Sequence, residues 1–183
     1  MRRTPVQQRS VERVNQMLDA AAELLEEGGY DALSTRALAA RTGLPIGSIY
    51  RYFSDKRALA EALTRRNLER FRQRLEQRLE GVSRLETMID TVVAEYLDMK
   101  ANVPGFAVMD FGDNSEVAGE LAGMVSVLLG APLDDRLRRT VLAAVEAADA
   151  LLRAHHDDPE MIEETKELLR AYLGRRLSIV PPP

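Results

Sequence analysis

Apolar residues recur at helical spacing along nearly the whole chain and nowhere alternate with period two. Val11, Val14, Leu18, Ala21, Ala22 and Leu25 form the i, i+3, i+7 stripe of an amphipathic helix, which Gly28-Gly29 ends. Ser34 stands where an N-cap belongs, ahead of a helix predicted over residues 36–42 with Leu38 and Ala39 inward and Gly43 closing it after two turns. Pro45 suits an opening turn, where its missing N–H is unpaired in any case, so a third short helix is predicted over 46–52, ending at Phe53. Ser54 is the predicted cap of a fourth helix over 55–79, on which Leu59, Leu63, Phe71, Leu75 and Leu79 repeat at multiples of four. Beyond Gly81 the pattern predicts helices over 85–100, around 106–111, and over 116–129, 134–156 and 159–177, before a Pro181-Pro182-Pro183 tail that cannot continue a helix. The expectation is an all-α fold of about nine helices.

Composition narrows the function classes. There is no cysteine, which removes disulfide scaffolds, thiolate metal sites and cysteine nucleophiles, and fits a reducing cytoplasm. The longest apolar stretch, 121–133, is broken by Ser126, Gly130 and Pro132 and is too short to span about 30 Å of hydrocarbon. Residues 1–16 lack the apolar core of a secretory signal, so neither a membrane helix nor export is expected. The net charge of −4 conceals an asymmetry: residues 1–74 carry fourteen Lys/Arg against nine Asp/Glu, whereas 75–183 carry eleven against twenty. A basic amino-terminal third suits a polyanion, and an acidic remainder suits a part that stays off it.

Residues 34–53 give that polyanion a shape. A short helix, a glycine-containing turn and a second short helix, both set against a longer preceding helix, form a helix-turn-helix unit, whose second helix enters a DNA major groove about 12 Å wide. Such a helix needs anchors behind and small or hydrogen-bonding residues in front. Ile49 and Phe53 are spaced to anchor, Gly47 and Ser48 allow close backbone approach, and Tyr50, Arg51 and Tyr52 carry polar ends outward. The amino-terminal turns of the second and fourth helices, with Thr35 and Arg36, and Lys56 and Arg57, offer free N–H groups and positive charge to flanking phosphates. A short helix pair in any α-bundle would also carry Tyr, Arg and Lys on a solvated face, and spacing alone does not separate the two readings.

Leu33-Ser34-Thr35-Arg36-Ala37-Leu38-Ala39, Thr42-Gly43-Leu44-Pro45, Gly47-Ser48-Ile49-Tyr50-Arg51-Tyr52-Phe53 and Asp55-Lys56-Arg57-Ala58-Leu59 do so. In order and spacing, collinear from Val11 to Leu63, they resemble the DNA-binding domain of TetR-family repressors. The resemblance implies a homodimer that binds a pseudo-palindromic double-stranded operator and releases it when a small molecule occupies the carboxy-terminal domain. It places Thr35, Tyr50, Tyr52 and Lys56 at phosphate-contact positions, and Pro45, Ile46, Gly47, Ser48 and Arg51 on or near the base-reading helix, with Arg36 beside them. Many relatives carry His where Tyr52 stands; a Tyr hydroxyl also hydrogen-bonds a phosphate oxygen, with a different reach. Arg2, Arg3 and Arg9 are expected to precede the first helix as a basic arm. The expected organisation is a DNA-binding domain over 1–54, with that arm at 1–9, and an effector-binding and dimerisation domain over 55–183, joined by the helix at 55–79.

Two rows of apolar or small residues run along the eighth predicted helix and the residue just before it: Leu137, Val141, Ala144, Ala148 and Leu151, and beside them Leu133, Thr140, Ala143, Ala147 and Ala150. The last helix repeats the feature with Met161, Thr165, Leu168 and Tyr172 beside Ile162, Leu169 and Leu173. One buried row suffices for a monomer, so the second suggests a two-fold four-helix interface through the last two helices. Burial of both rows inside one larger bundle is the alternative. Candidate effector residues are Tyr96, Met99, Phe106, Met109, Phe111, Met124 and Leu128, whose methionine and aromatic side chains adapt to an apolar or amphipathic ligand.

The rival classes are a helical enzyme and an adaptor that binds protein only. His155 and His156 are adjacent and point about 100° apart on a helix, so they do not ligate one metal in the i, i+4 manner. No Glu-x-x-His pair and no glycine-rich phosphate loop occurs. No catalytic residue, metal site or cofactor is expected.

Overall fold

The computed structural model of the protein describes residues 5–106 and 114–177. Eight helices and no strand occur among the described residues: α1 (Pro5–Ala32), α2 (Thr35–Thr42), α3 (Ile46–Tyr50), α4 (Lys56–Arg78), α5 (Leu85–Asn102), α6 (Ser115–Leu129), α7 (Asp135–His155) and α8 (Pro159–Leu177). The all-α expectation holds. Of the short helix expected at 106–111, Phe106 lies in a turn, and 107–111, with Met109 and Phe111, fall outside the described residues.

Three local expectations are corrected. Arg9 lies inside α1, because Pro5 takes the first helical position and nothing between it and Val11 breaks the helix; Arg2 and Arg3 are outside the described residues. The cap of α4 is Asp55, not Ser54: Asp55 Oδ1 accepts a hydrogen bond from the Ala58 N–H at 2.8 Å, while the Ser54 hydroxyl donates to the same carboxylate at 3.1 Å. An N-cap oxygen reaches the N–H three residues on, and a helix opening at Lys56 sets that distance from Asp55. The third helix stops at Tyr50 rather than Tyr52, since the Tyr52 and Phe53 N–H groups converge on the Ile49 carbonyl, each at 2.9 Å, in the tightened turn common at helix ends.

The chain forms two compact units, one comprising residues 1–69 and 100–110 and the other 70–99 and 111–183. In the first, Met17, Leu18, Ala21 and Leu25 of α1 meet Leu38 of α2, Ile49 of α3, Phe53, and Leu59 and Leu63 of α4 in one apolar cluster. The segment after α5 packs onto it through Gly105, whose N–H donates to Glu26 at 3.2 Å and whose φ of +76° is left-handed. In the second unit Ile89 and Val93 of α5, Ala144 and Leu152 of α7, and Leu169 and Leu173 of α8 share a core. There the fully buried Glu95 pairs with Arg74 and, at 2.8 Å, with Arg78, and Arg74 also pairs with Asp98, so the end of α4 is fastened to α5 by charge.

Gly105 combines two obstacles to replacement. A Cβ there would lie 3.2 Å from the Ala22 Cα and 3.3 Å from its Cβ, and the backbone would be strained by any L side chain. Gly105→Ala is expected to lower stability by about 1–3 kcal/mol in urea unfolding, the cost of a non-glycine residue in a disfavoured region plus the contact it forces.

Candidate nucleic-acid interface

Helix α3 is placed by its two neighbours. Ser34 adopts extended backbone and its hydroxyl oxygen accepts the Ala37 N–H at 3.0 Å, fixing where α2 begins. Gly43, at φ +69°, turns the chain sharply enough for Pro45 to open α3 beside α2. Within α3 the division of labour is clear: Ile49 and the following Phe53 are 0% and 4% exposed, whereas Ile46 and Tyr50 are 44% and 53% exposed. Gly47 and Arg51 are exposed with them, and a Cβ built on Gly47 would meet nothing within 4 Å, so the outward face of α3 is low and open.

Around that face the polar side chains are already engaged with one another. The Thr35 hydroxyl at the start of α2 donates to the Tyr50 phenol oxygen at 3.3 Å, joining two of the residues expected at phosphates. Tyr52 is half-buried and its phenol lies 3.2 Å from the Ser10 hydroxyl, which ties the turn after α3 to the first turns of α1. Lys56 sits 4.0 Å over the Tyr30 ring and 3.7 Å from Asp31 Oδ1. Ser10, Tyr30 and Asp31 were not among the expected residues. Arg36 and Arg51 are exposed, and Arg57 pairs with Glu61 at 2.8 Å. The Ala58 N–H and the Ser54 hydroxyl hold the Asp55 carboxyl below the usual carboxylate range, so it serves α4 as an ionised cap.

Between α1 and α2 the surface is more acidic. An open groove of about 510 Å³ between α1 and α2 is lined by Glu12, Asp19 and Glu23 among others. Arg41, also in the lining, pairs with Glu23 at 3.1 Å and with Glu27, which it holds below the ordinary carboxylate range, and Asp19 pairs with Arg66 at 2.6 Å. Thr35, Arg36, Pro45, Ile46, Gly47, Ser48, Tyr50, Arg51, Tyr52 and Lys56 fall in one unit, at the amino end of α2, along α3 and its following turn, and at the amino end of α4.

The effector candidates are more scattered. Tyr96 packs against the α5–α7–α8 core and donates to Asp149 at 3.3 Å, and burial followed by the charge of Asp149 pushes its phenol upward. Asp149 also accepts from Asn114 at 3.4 Å and pairs with Arg153, while Asn114 reaches Glu146 at 3.2 Å. Met99 is fully buried and Met124 and Leu128 are half-buried in the same unit. Phe106, 3% exposed, belongs to the unit of α1. None of these lines the α1–α2 groove. His155 and His156 are both exposed at the end of α7.

Comparison with known proteins agrees with this geometry. Residues 17–63 match the model for bacterial regulatory proteins of the tetR family, and residues 83–177 match that for the Tetracyclin repressor-like C-terminal domain. A TetR-family transcriptional regulator from Streptomyces coelicolor is 50% identical, with a TM-score of 0.83 over 89% of this chain and 98% of that one. The repressor KstR of Rhodococcus jostii is 40% identical over 63 residues, and the regulator UidR of Escherichia coli 28% over 78. These matches take in 34% and 43% of this chain but only 30% and 40% of those proteins, so the chain spans less than half the length of the curated relatives it matches. With both of its halves matched and a structural relative aligned almost end to end, this chain belongs to the TetR family of bacterial regulatory proteins.

Proposed function

We propose that this protein is a ligand-responsive transcriptional repressor, acting in the cytoplasm, that binds a pseudo-palindromic operator as a homodimer and leaves it when a small apolar or amphipathic effector binds the second unit. The observation that carries the reading is the split character of α3 and the turn after it, with Ile49 and Phe53 sunk in the core while Ile46, Gly47, Tyr50 and Arg51 are exposed. Thr35, Tyr50, Tyr52 and Lys56 are assigned to phosphates, because hydroxyls and an ammonium at helix ends suit them; Pro45, Ile46, Gly47, Ser48 and Arg51 are assigned to base edges or close approach. Arg36 borders the first group.

For the dimer, the support is an apolar face that the monomer leaves uncovered. Leu133 and Leu168 are 40% and 46% exposed, and Ala143 and Ala150 are exposed on α7. Two copies joined through α7 and α8 would carry two reading helices, which must lie about 34 Å apart to enter successive major grooves. Effector release then requires a ligand that favours a conformer with a different spacing, with α4, which begins in one unit and ends in the other, as the connecting element. Tyr96, Met99, Met124 and Leu128 remain the candidate effector residues of the second unit; Phe106, in the other unit, and Met109 and Phe111 complete that set.

Selection of bound fragments from random duplex DNA tests the whole reading at once: a two-fold motif supports it, and no enrichment in dilute buffer ends it. Lys56→Ala is expected to weaken binding evenly across sequences and to lower the slope of log K against log salt by about 0.9 per subunit, whereas Arg51→Ala is expected to relax preference at one position of each half-site. An unchanged salt slope removes Lys56 from the phosphate contacts, and an unchanged selected motif removes Arg51 from base reading. Light scattering at low protein concentration is expected to give twice the 20.4 kDa chain mass; a stable monomer overturns the dimer.

A further inference from the structure

Lys56 is the one assigned phosphate contact that is a flexible cation, and it is held on two sides by groups of opposite effect. The Tyr30 ring lies beneath the ammonium at 4.0 Å, and the Asp31 carboxylate lies 3.7 Å to one side. Tyr30 is 51% exposed and Asp31 wholly exposed, so neither is there to fill the core. Both stand just past the Gly28-Gly29 break in α1, which carries them out of the helix line and across to the amino end of α4. A free lysine side chain has several rotatable bonds to immobilise before it can grip a phosphate. A ring face removes much of that freedom while leaving N–H donors of the ammonium unoccupied, because the attraction is to the quadrupole and takes up no hydrogen bond. A carboxylate does the reverse, since it competes with phosphate for the same donors and repels the phosphate itself.

We infer that Tyr30 is a positioning residue that presents the Lys56 ammonium to a DNA phosphate, and that Asp31 is the competitor from which the phosphate takes it. The inference rests on the assignment of Lys56 to a phosphate, made under the proposed function. It gives two neighbouring surface residues opposite effects on DNA affinity, which no shared structural role would do.

The test uses the full chain and an arbitrary duplex of about 30 base pairs at low salt, long enough for two half-sites one turn apart, because phosphate contacts do not depend on sequence. Fluorescence anisotropy over a salt series is measured for Tyr30→Leu, Tyr30→Phe, Asp31→Asn, Lys56→Met and the Tyr30→Leu/Lys56→Met pair, with thermal melts confirming that each folds. Tyr30→Leu is expected to weaken binding about threefold per subunit, or about tenfold for two subunits on one duplex, and Tyr30→Phe to stay within about twofold of the parent. Asp31→Asn is expected to tighten binding, and Tyr30→Leu to have no further effect once Lys56 is Met. If Lys56→Met weakens binding but Tyr30→Leu does not, or if Tyr30→Leu loses as much in the Lys56→Met background, the positioning role is overturned while the phosphate assignment stands. Looser binding by Asp31→Asn overturns its part as competitor. If Lys56→Met itself changes neither affinity nor salt slope, the phosphate assignment fails and the inference with it.

Discussion

A five-residue helix cannot hold itself, and the interface depends on how α3 is held. Ordering each residue costs about 1–2 kcal/mol of backbone entropy, and a helix this short forms too few hydrogen bonds to offset it. Burial does so instead: full burial of side chains such as Ile49 and Phe53 contributes about 1.5–3 kcal/mol each, and Leu38, Met17, Leu59 and Leu63 close around them. The outward face therefore inherits its aim from the inward one. Tyr50 and Arg51 point where they do because Ile49 cannot turn, and the Thr35–Tyr50 hydrogen bond and the Ser34 cap trim an orientation already set by packing.

That same locality explains how much could be read in the sequence. The signals for α2 and α3 lie within twenty residues: a capping serine, a glycine that must turn left, a proline that can only open a helix, and two apolar residues four apart. Each was legible because each acts on its near neighbours. The Ser10–Tyr52 contact joins residues 42 apart, and Tyr30 reaches Lys56 only because α1 breaks at Gly28 and Gly29, so neither contact leaves a mark on local periodicity. The cap of α4 was misread by one residue for a related reason. Ser54 and Asp55 are both good capping residues, and which of them serves is settled by where the first turn of the helix starts.

The second unit was harder to read because charge lies inside it. Glu95 is fully buried between Arg74 and Arg78, and Tyr96, Asn114, Glu146, Asp149 and Arg153 form a linked polar set. In a one-dimensional pattern a carboxylate on a helix reads as the solvated face, so an inward Glu is invisible until its partners are known. Such pairs contribute little net stability after desolvation, but they fit poorly in any other arrangement, and this favours one register of α4 on α5.

Under the proposed release mechanism an effector in that unit would act through chain that crosses into the other, and α4 is one of two such crossings among the described residues. Helix α5 lies mostly in the second unit and ends in the first, where the chain runs on through Gly105, hydrogen-bonded to Glu26 and close against Ala22 of α1. Helix α1 thus holds Gly105 through Glu26 and Ala22 and, nearer its start, Tyr52 through Ser10. The arithmetic is demanding, since shifting a two-state equilibrium from 1:99 to 99:1 takes about 5.5 kcal/mol of differential binding. A close-packed glycine and a buried ion cluster, each with few alternative arrangements, are the kinds of element that would carry such a difference without dissipating it in small adjustments.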